Sequence, residues 1–363
     1  MTFYLKRNFN MMSAGPPYNA AQQKRMSEVP KFLYSSGFNP DGSLMRHILK
    51  NGLLSASVWV AGCAAAQSYP VKPVRIIVPN APSGLADVSA RIVAAKLSEA
   101  FAQQFIVENR VGAGSTLGTA AAVRAAPDGY TLLVVFDSHA TNLHLFKSLD
   151  YNTVNDLAPI SLLVRGPLVL AVNPGVPAKT VADLIALAKA RPGALNFASV
   201  GPGSPARLLL ELLQLEARVD ILNVPYKGAG GAITDLIAGH VDAMFPTVST
   251  AAPHVRSKRL RAIAVTSEKP SAALPGVPLM MSVYPNFRAE SWVGLLAPAK
   301  LPSEIVARLH AESAKVLAQA EVKSRFSELG LETVGSTPAQ FEQWIKTEIE
   351  RWGQVIRAQK IVL

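Results

Sequence analysis

The stretch Val74–Arg91 constrains the fold more than any other part of the chain. It begins with a β-branched run, Val74–Val78, which is typical of a strand buried on both faces of a parallel sheet. Prolines and a Ser/Gly turn end that run, and apolar residues then recur at helical spacing over Leu85–Phe101. A strand, a tight turn and a helix start point backbone N–H groups at the carboxyl end of the strand, where they attract anions. Such turns also occur without a ligand, so this one alone does not establish a site.

The same pattern recurs along the chain. The strands predicted to end in Gly-, Ser- or Thr-rich turns are Phe105–Glu108, Thr131–Phe136, Leu195–Ser199, Ile221–Val224 and a short strand ending at Phe245. Asp137–Thr141 is predicted to be a hydroxyl-lined ligand loop, because neighbouring Asp, Ser and His residues in a line do not form a catalytic triad easily and no GxSxG motif occurs. The repeated turns predict a ligand site built from both halves of the chain.

Two segments divide the sequence into domains. Asn173–Pro177 is predicted to be a linker, and residues 268–290 are predicted to be a second crossing because they are rich in Pro and Ser. We therefore expect domain 1 to comprise residues 67–172 and 285–363, and domain 2 to comprise residues 173–284. Helices are predicted at 116–124, 181–190, 303–318, 322–329 and 338–358.

Composition excludes several classes of site. A single cysteine rules out disulfides within the chain and Cys-based zinc sites, and the six histidines include no HExxH motif. The glycines of residues 112–118 are spaced GxGxxxG, which fails the dinucleotide fingerprint. We expect neither a metal nor a cofactor. Beyond residue 63 the chain has 29 basic and 23 acidic residues, and this modest positive balance favours small anions over nucleic acid.

The N-terminal region has the pattern of a secretion signal. Met45–Lys50 is basic, Gly52–Gly62 is apolar, and small residues follow up to Ala66, which predicts a signal peptide over 45–66. We interpret residues 1–44 as an upstream extension of the gene; the alternative is a real disordered arm. Val60-Ala61-Gly62-Cys63 also resembles a lipobox, so acylation of Cys63 and cleavage after Ala66 remain alternatives. Both place the mature protein in the periplasm.

Five motifs, in order, resemble a known family from Tyr69 to the C-terminus. They are Tyr69-Pro70 with Lys72-Pro73-Val74-Arg75, Val107-Glu108-Asn109-Arg110 with Gly112-Ala113-Gly114, Ala126–Leu133, Val224-Pro225-Tyr226-Lys227-Gly228, and Trp292 with Gly294–Pro298. They are similar to those of the substrate-binding receptors of tripartite tricarboxylate transporters, the Bug receptors.

The resemblance implies an α/β fold of the two-domain periplasmic-binding type (type II-like), with two crossovers and a ligand cleft between the domains. It implies a receptor that binds a small carboxylate-bearing solute and delivers it to the membrane subunits of a tripartite tricarboxylate-type transporter. We expect no enzymatic activity, no nucleic acid partner and a monomer.

The resemblance also implies which loops contact the ligand. The expected ligand-binding residues are Pro82, Ser83, Gly84, Asp87, Gly114, Ser115, Thr116, Ser138, His139, Ser199, Gly201, Gly203, Ser204, Arg207, Tyr226, Gly228 and Thr247. Three positions depart from the family's usual residues: Ser83 replaces a glycine, Arg207 a histidine and Gly231 a proline. The ligand of a relative therefore cannot be transferred to this chain.

Two of these residues have alternative roles. Asp87 would contact an amino group of a ligand through water, or would act as a first-turn acid that the helix dipole favours. Arg207 would hold a ligand carboxylate with a bidentate contact, or would pair with a protein carboxylate away from the ligand.

Two other classes of function remain as alternatives. One is an α/β hydrolase or transferase that acts on a small carboxylate, although no paired carboxylates or nucleophile motif support it. The other is a sensory ligand-binding protein without a transport role. A transcription regulator with this type of domain would need a helix-turn-helix ahead of it, where residues 1–62 instead resemble a secretion signal.

Overall fold

A computed structural model describes residues 69–201, 203–226 and 228–361. These residues form one compact unit. The predicted extension 1–44, the predicted signal peptide 45–66 and Cys63 lie outside the described residues.

The first sheet has six strands in the order β11-β4-β10-β3-β1-β2. They are β1 Val74–Val78, β2 Phe105–Asn109, β3 Thr131–Phe136, β4 Leu157–Pro167, β10 Glu290–Pro298 and β11 Glu332–Thr333. Strands β1, β2 and β3 run parallel, and β10 lies antiparallel between β3 and β4. The β-branched run Val74–Val78 is almost wholly buried at the centre of this half of the sheet, as its composition predicts.

The second sheet has five strands in the order β7-β6-β8-β5-β9. They are β5 Val169–Val172, β6 Asn196–Val200, β7 Leu222–Tyr226, β8 Ala243–Met244 and β9 Arg261–Val265. Strands β6, β7 and β8 run parallel, while β5 runs antiparallel to β8 and β9. The carboxyl ends of three parallel strands therefore meet at one edge of each sheet.

The chain passes from the first sheet to the second between Pro167 and Val169. The first domain boundary was predicted at 172, but β5 pairs within the second sheet, so the crossing lies a few residues earlier. Asn173–Pro177 is a turn that follows β5. The Asn173 N–H donates to the Asp242 carbonyl, and its side chain bonds to the backbone of Leu236 and Gly175. The return crossing lies between Val265 and Glu290. We call residues 69–167 and 290–361 the first lobe and residues 168–289 the second lobe.

The two crossings lie side by side. Glu290 and Ser291 of the return strand pair with Pro167 and Gly166. The Thr266 hydroxyl donates to the Ala289 carbonyl at 2.6 Å and accepts from the Leu168 N–H at 3.0 Å. One buried side chain thus ties the outgoing and returning segments together.

Ten α-helices are present in the described part of the chain. They are α1 Leu85–Phe101, α2 Thr116–Val123, α3 Ser138–Leu145, α4 Val181–Ala190, α5 Pro205–Ala217, α6 Ala229–Ala238, α7 Val248–Arg256, α8 Ser303–Ala318, α9 Ala320–Glu328 and α10 Pro338–Ala358. Capping explains the well-predicted ends: the Thr180 and Thr337 side chains each form a capping box with the third helical residue.

Helix α3 corrects the prediction of a ligand loop over Asp137–Thr141. The Asp-Ser-His-Ala-Thr stretch is the start of a helix, and Asp137 is its N-cap residue. Helix α7 was not predicted either, although Thr247 caps it by accepting a hydrogen bond from the Thr250 N–H. Both helices are short and begin with small polar residues, which are common in turns as well as at helix starts.

Helix α10 belongs in sequence to the first lobe but packs on both lobes. Its Phe341 and Ile345 lie in a cluster with Trp292 of the first sheet. Farther along, Trp352 and Ile356 join the core of the second lobe. The last helix therefore spans the junction of the two lobes.

Candidate functional site

The candidate site lies at the carboxyl ends of the parallel strands, where each strand is followed by the start of a helix. Strands β1, β2 and β3 of the first lobe precede α1, α2 and α3, and strands β6, β7 and β8 of the second lobe precede α5, α6 and α7. The first turn of each helix has backbone N–H groups without an intrahelical acceptor, and the helix dipole adds positive potential there. This arrangement suits an anionic ligand.

The conformation of the first turn of the site, Pro82–Gly84, is fixed by Asp87. The chain passes through Ser83 at a φ of +67°, and Gly84 is the N-cap residue of α1. The Asp87 carboxylate accepts a hydrogen bond from the Ser83 N–H at 2.9 Å, which fixes this conformation. Pro82 is exposed beside it.

Both carboxylate oxygens of Asp87 have protein donors. Arg91 Nε lies 3.1 Å from each oxygen, and Asn109 Nδ2 donates to Oδ1 at 2.8 Å. Burial alone would raise the pKa of Asp87, but the hydrogen bonds from Arg91, Ser83 and Asn109 outweigh burial and lower the pKa. This geometry supports the structural role that the sequence allowed for a first-turn acid.

The second and third turns of the first lobe meet directly. Gly114 and Ser115 have φ values of +60° and +84°, which bring the start of α2 close to α3. Ser138 Oγ donates to Ser115 Oγ at 3.1 Å, and Asn142 Nδ2 donates to the Gly114 carbonyl at 2.7 Å. Thr116 is half-buried, and its hydroxyl donates to the Ala113 carbonyl at 2.9 Å.

His139 is predicted to contact the ligand, and the structure buries it to 4% exposure. Burial lowers the pKa of the imidazole to about 4, so the ring is neutral at physiological pH. Within the described residues neither ring nitrogen has a hydrogen-bond partner of normal geometry. Its neighbour Ser138, in contrast, contacts another predicted site residue, Ser115.

The site turn of the second lobe is built by Gly201 and Ser204. Gly201 has a φ of +76°, and Ser204 caps α5 by accepting from the Arg207 N–H at 3.2 Å. The Ser204 hydroxyl donates to the Gly201 carbonyl at 2.9 Å. Ser199, at the end of β6, is 1% exposed, and its hydroxyl has no partner among the described residues. A buried hydroxyl without a partner at a strand end is available to water or a ligand.

Arg207 pairs within its own helix. Its Nη2 lies 2.5 Å from Glu211 Oε1, and the Glu211 side chain is 5% exposed. Burial raises the pKa of Glu211, although Arg207 acts in the opposite direction. The guanidinium that the sequence offered as a ligand clamp therefore has a protein carboxylate as its partner.

The remaining predicted residues lie at the starts of α6 and α7. Tyr226 donates its hydroxyl to Asp235 Oδ2 at 2.6 Å, and this bond raises the pKa of Tyr226 to about 12. Gly228 is the exposed N-cap residue of α6. Thr247 Oγ1 lies 2.8 Å from Thr250 Oγ1 in the first turn of α7.

The two lobes meet at Thr141 and Gly203. Thr141 Oγ1 lies 3.4 Å from the Gly203 carbonyl and 3.3 Å from the Ser138 carbonyl of its own helix, and these two acceptors share its single proton. A Cβ at Gly203 would lie only 2.8 Å from Leu145 Cδ1. The structure thus brings together Ser115, Ser138 and the Gly203 turn, whereas the polar side chains of Asp87, Arg207 and Tyr226 are engaged by other protein groups.

Sequence reasoning missed Thr141, Asn142, Asp137 and Ser291 as individual residues of this region. Ser291 Oγ donates to Asp137 Oδ2 at 2.7 Å, which links the start of α3 to the returning crossing. Asp137 follows a buried strand directly and precedes Ser138, and that position was the available signal. The approach of Ser291 has no local signal, since 154 residues separate it from Asp137.

A family model described as "Tripartite tricarboxylate transporter family receptor" matches residues 89–361. The chain belongs to this family. The receptor is 38% identical over 309 residues to protein BugT of Bordetella pertussis, an alignment that covers 84% of this chain and 95% of BugT.

Solved structures agree with this assignment. Rpa4515 of R. palustris with adipate is 30% identical with a TM-score of 0.74, covering 81% of this chain and 100% of that one. MatC of Rhodopseudomonas palustris with bound malate is 32% identical with a TM-score of 0.71, covering 79% and 100%. Both the predicted α/β two-lobed fold and the predicted family are confirmed.

The receptor's described residues have two further properties. No helix among them is both long and apolar enough to cross a bilayer. They also contain no group of three or more His, Cys, Asp or Glu side chains that could hold a metal ion.

Proposed function

We propose that this receptor binds a small carboxylate-bearing solute between its lobes and delivers it to the membrane subunits of a tripartite tricarboxylate-type transporter. The observation that carries the proposal is the meeting of helix starts from both lobes. Ser115 and Ser138 join the starts of α2 and α3, and Thr141 contacts the turn before α5 at Gly203. Backbone N–H groups and hydroxyls supply the recognition of the carboxylate.

The engagement of the site's charged groups supports the same proposal. Arg207 is paired with Glu211, and Asp87 with Arg91. Partial positive charge then comes from helix starts fixed by the fold, which costs little reorganisation on binding. The family membership and the relatives with bound adipate and malate add independent support.

Location and partners form part of the proposal. The receptor acts in the periplasm after export by the signal peptide 45–66, either released by cleavage after Ala66 or anchored through Cys63. It works as a monomer and releases its ligand chemically unchanged. An α/β enzyme acting on a small carboxylate and a sensory protein without a transport role are the competing functions.

Calorimetry and native mass spectrometry test the proposal. Native mass spectrometry of the purified receptor identifies a carried-over solute, and titration with mono-, di- and tricarboxylates follows. We expect at least one carboxylate to bind and to be recovered unchanged, and to raise the melting temperature as mass action requires. Conversion of the carboxylate to a product would favour the enzyme, and absence of binding across the panel would contradict the proposal.

A matched pair of variants locates the binding site. Ser204→Ala removes the cap of α5 at the proposed site, and Thr180→Ala removes a cap of the same kind from α4. Each loss costs about 1 kcal/mol of stability. Only Ser204→Ala should also weaken ligand binding. Equal affinities in the two variants would place the ligand elsewhere.

A further inference from the structure

Asp137 is a buried carboxylate at the start of a helix in the candidate site. It is the N-cap residue of α3, one residue before Ser138, and it is 7% exposed. Its partners are the Ser291 hydroxyl at 2.7 Å and backbone N–H groups, including that of Trp292. Within the described residues no cation lies within ion-pair distance of it. An ionised carboxylate is costly in such a place.

The groups that face Asp137 do not compensate for its charge. On its own helix His139 is buried and neutral. From α10 the buried Glu348 adds a second negative charge, which acts on Asp137 in the same direction as burial. Burial raises the pKa of Asp137 to about 7, with the Glu348 charge as a further contribution.

The cations of this region are engaged with other carboxylates. Arg351 lies 3.7 Å from Glu348 Oε1, and Arg165 and Arg288 pair with Glu290 and Glu268. Glu348 also accepts a hydrogen bond from Trp352 Nε1 at 2.8 Å. These contacts leave Asp137 with neutral donors only.

We propose that Asp137 sets the charge preference of the ligand site: the receptor holds an anionic carboxylate with Asp137 protonated, so that binding of the anion takes up a proton. This inference rests on the proposed function. An anion at the start of α3 lies one residue from Asp137, and two like charges in a dry site favour protonation of the titratable one. By linkage, affinity for the anion falls as pH rises above neutrality.

Calorimetry with adipate and malate as probes tests the inference. At pH 7.5 both acids are fully ionised, so proton uptake is assigned to the receptor. Titrations in phosphate and in Tris, which differ in heat of ionisation, give the number of protons bound per ligand. We expect uptake of up to one proton in the wild type, and a Kd that rises by up to tenfold per pH unit above about pH 7.

Two variants separate the charge of Asp137 from its structural contacts. Asp137→Asn keeps the size of the side chain and stays neutral, so uptake should vanish and Kd should no longer depend on pH. Ser291→Ala keeps the carboxyl group but removes a hydroxyl donor that lowers its pKa, so proton uptake should persist but shift to higher pH. A purely structural role would affect affinity in both variants without changing the proton count.

The outcomes distinguish this inference from the proposed function. Binding without proton uptake in the wild type, or unchanged uptake in Asp137→Asn, overturns the role of Asp137 and leaves the function intact. Absence of binding by every carboxylate removes both. A ¹³C-detected titration of the free receptor tests the inference without a ligand. A measured pKa below 5 for the Asp137 carboxyl would also overturn it.

Discussion

Arg207 Nη2 lies 2.5 Å from Oε1 of Glu211, one turn farther along α5. The pair forms at the helix start where the sequence left two roles open for the arginine. Glu211 is buried, and its Oε2 also accepts a hydrogen bond from Gln214 Nε2. The geometry favours a structural role for Arg207, with its charge balanced before any ligand arrives.

Removing the arginine should therefore cost stability more than binding. Arg207→Ala leaves Glu211 buried without its cation, and we expect a loss of about 1–3 kcal/mol in the free energy of unfolding, since the arginine is partly exposed. Ligand affinity should change by less than threefold. Urea unfolding and calorimetry measure the two effects.

The control is the double variant Arg207→Ala, Glu211→Gln, which removes the unpaired charge and should recover part of the lost stability. A tenfold or larger loss of affinity in Arg207→Ala with an intact fold would instead show that the guanidinium contacts the ligand.

Asp137 should make the receptor less stable at high pH. Its pKa is raised to about 7 in the folded chain, against about 4 in an unfolded one. Between these values the folded state keeps a proton that the unfolded state has released, so the stability contribution falls as pH rises and is constant above about pH 7. Relative to wild type, Asp137→Asn should thus gain stability between pH 5 and pH 8 in urea unfolding.

Asp183→Asn is the control of opposite sign. The backbone N–H groups of Lys179 and Thr180 lower the pKa of Asp183, so its charge stabilises the fold at neutral pH. This variant should be less stable than wild type at neutral pH, and the difference should shrink as pH falls below about 4. A pH-independent difference between Asp137→Asn and wild type would contradict the raised pKa.

The contact of the lobes at Gly203 should contribute to ligand affinity. In Gly203→Ala the new Cβ would lie 2.8 Å from Leu145 Cδ1 and 2.9 Å from Thr141 Oγ1. The lobes must separate slightly, which weakens the Thr141 bond to the Gly203 carbonyl, and a loss of about 1 kcal/mol is expected, a three- to tenfold increase in Kd. Gly230→Ala is the control, because no atom lies within 4 Å of its Cβ. Equal affinities in the two variants would show that this contact does not affect binding.

Export should shorten the chain. Expressed from Met45, the periplasmic protein should begin at Gln67 if it is cleaved after Ala66, or at an acylated Cys63. Intact-mass measurement distinguishes the two, since acylation adds the mass of lipid chains. A periplasmic form that retains residues 1–44 would contradict the interpretation of those residues as an upstream extension.

Local sequence patterns were sufficient to predict the helices that have regular apolar spacing and clear capping residues. The bounds of α1, α4, α8 and α10 follow from apolar periodicity and from caps such as Thr180 and Thr337. The order of strand, turn and helix also predicted where helix starts would gather. These features depend on interactions between residues close in sequence, which a sequence displays directly.

Pairing between distant segments determined the rest. Nothing near Val169–Val172 indicates that this strand joins β8 and β9 rather than the first sheet. The roles of the polar residues depended on tertiary contacts in the same way. The sequence singled out Asp87 and Arg207 and placed Asp137 only within a predicted loop. Burial then raised the pKa of Asp137, and folding gave Asp87 and Arg207 protein counter-ions. Charge state depends on the local dielectric and on neighbours brought close by folding, so only the tertiary structure decides it.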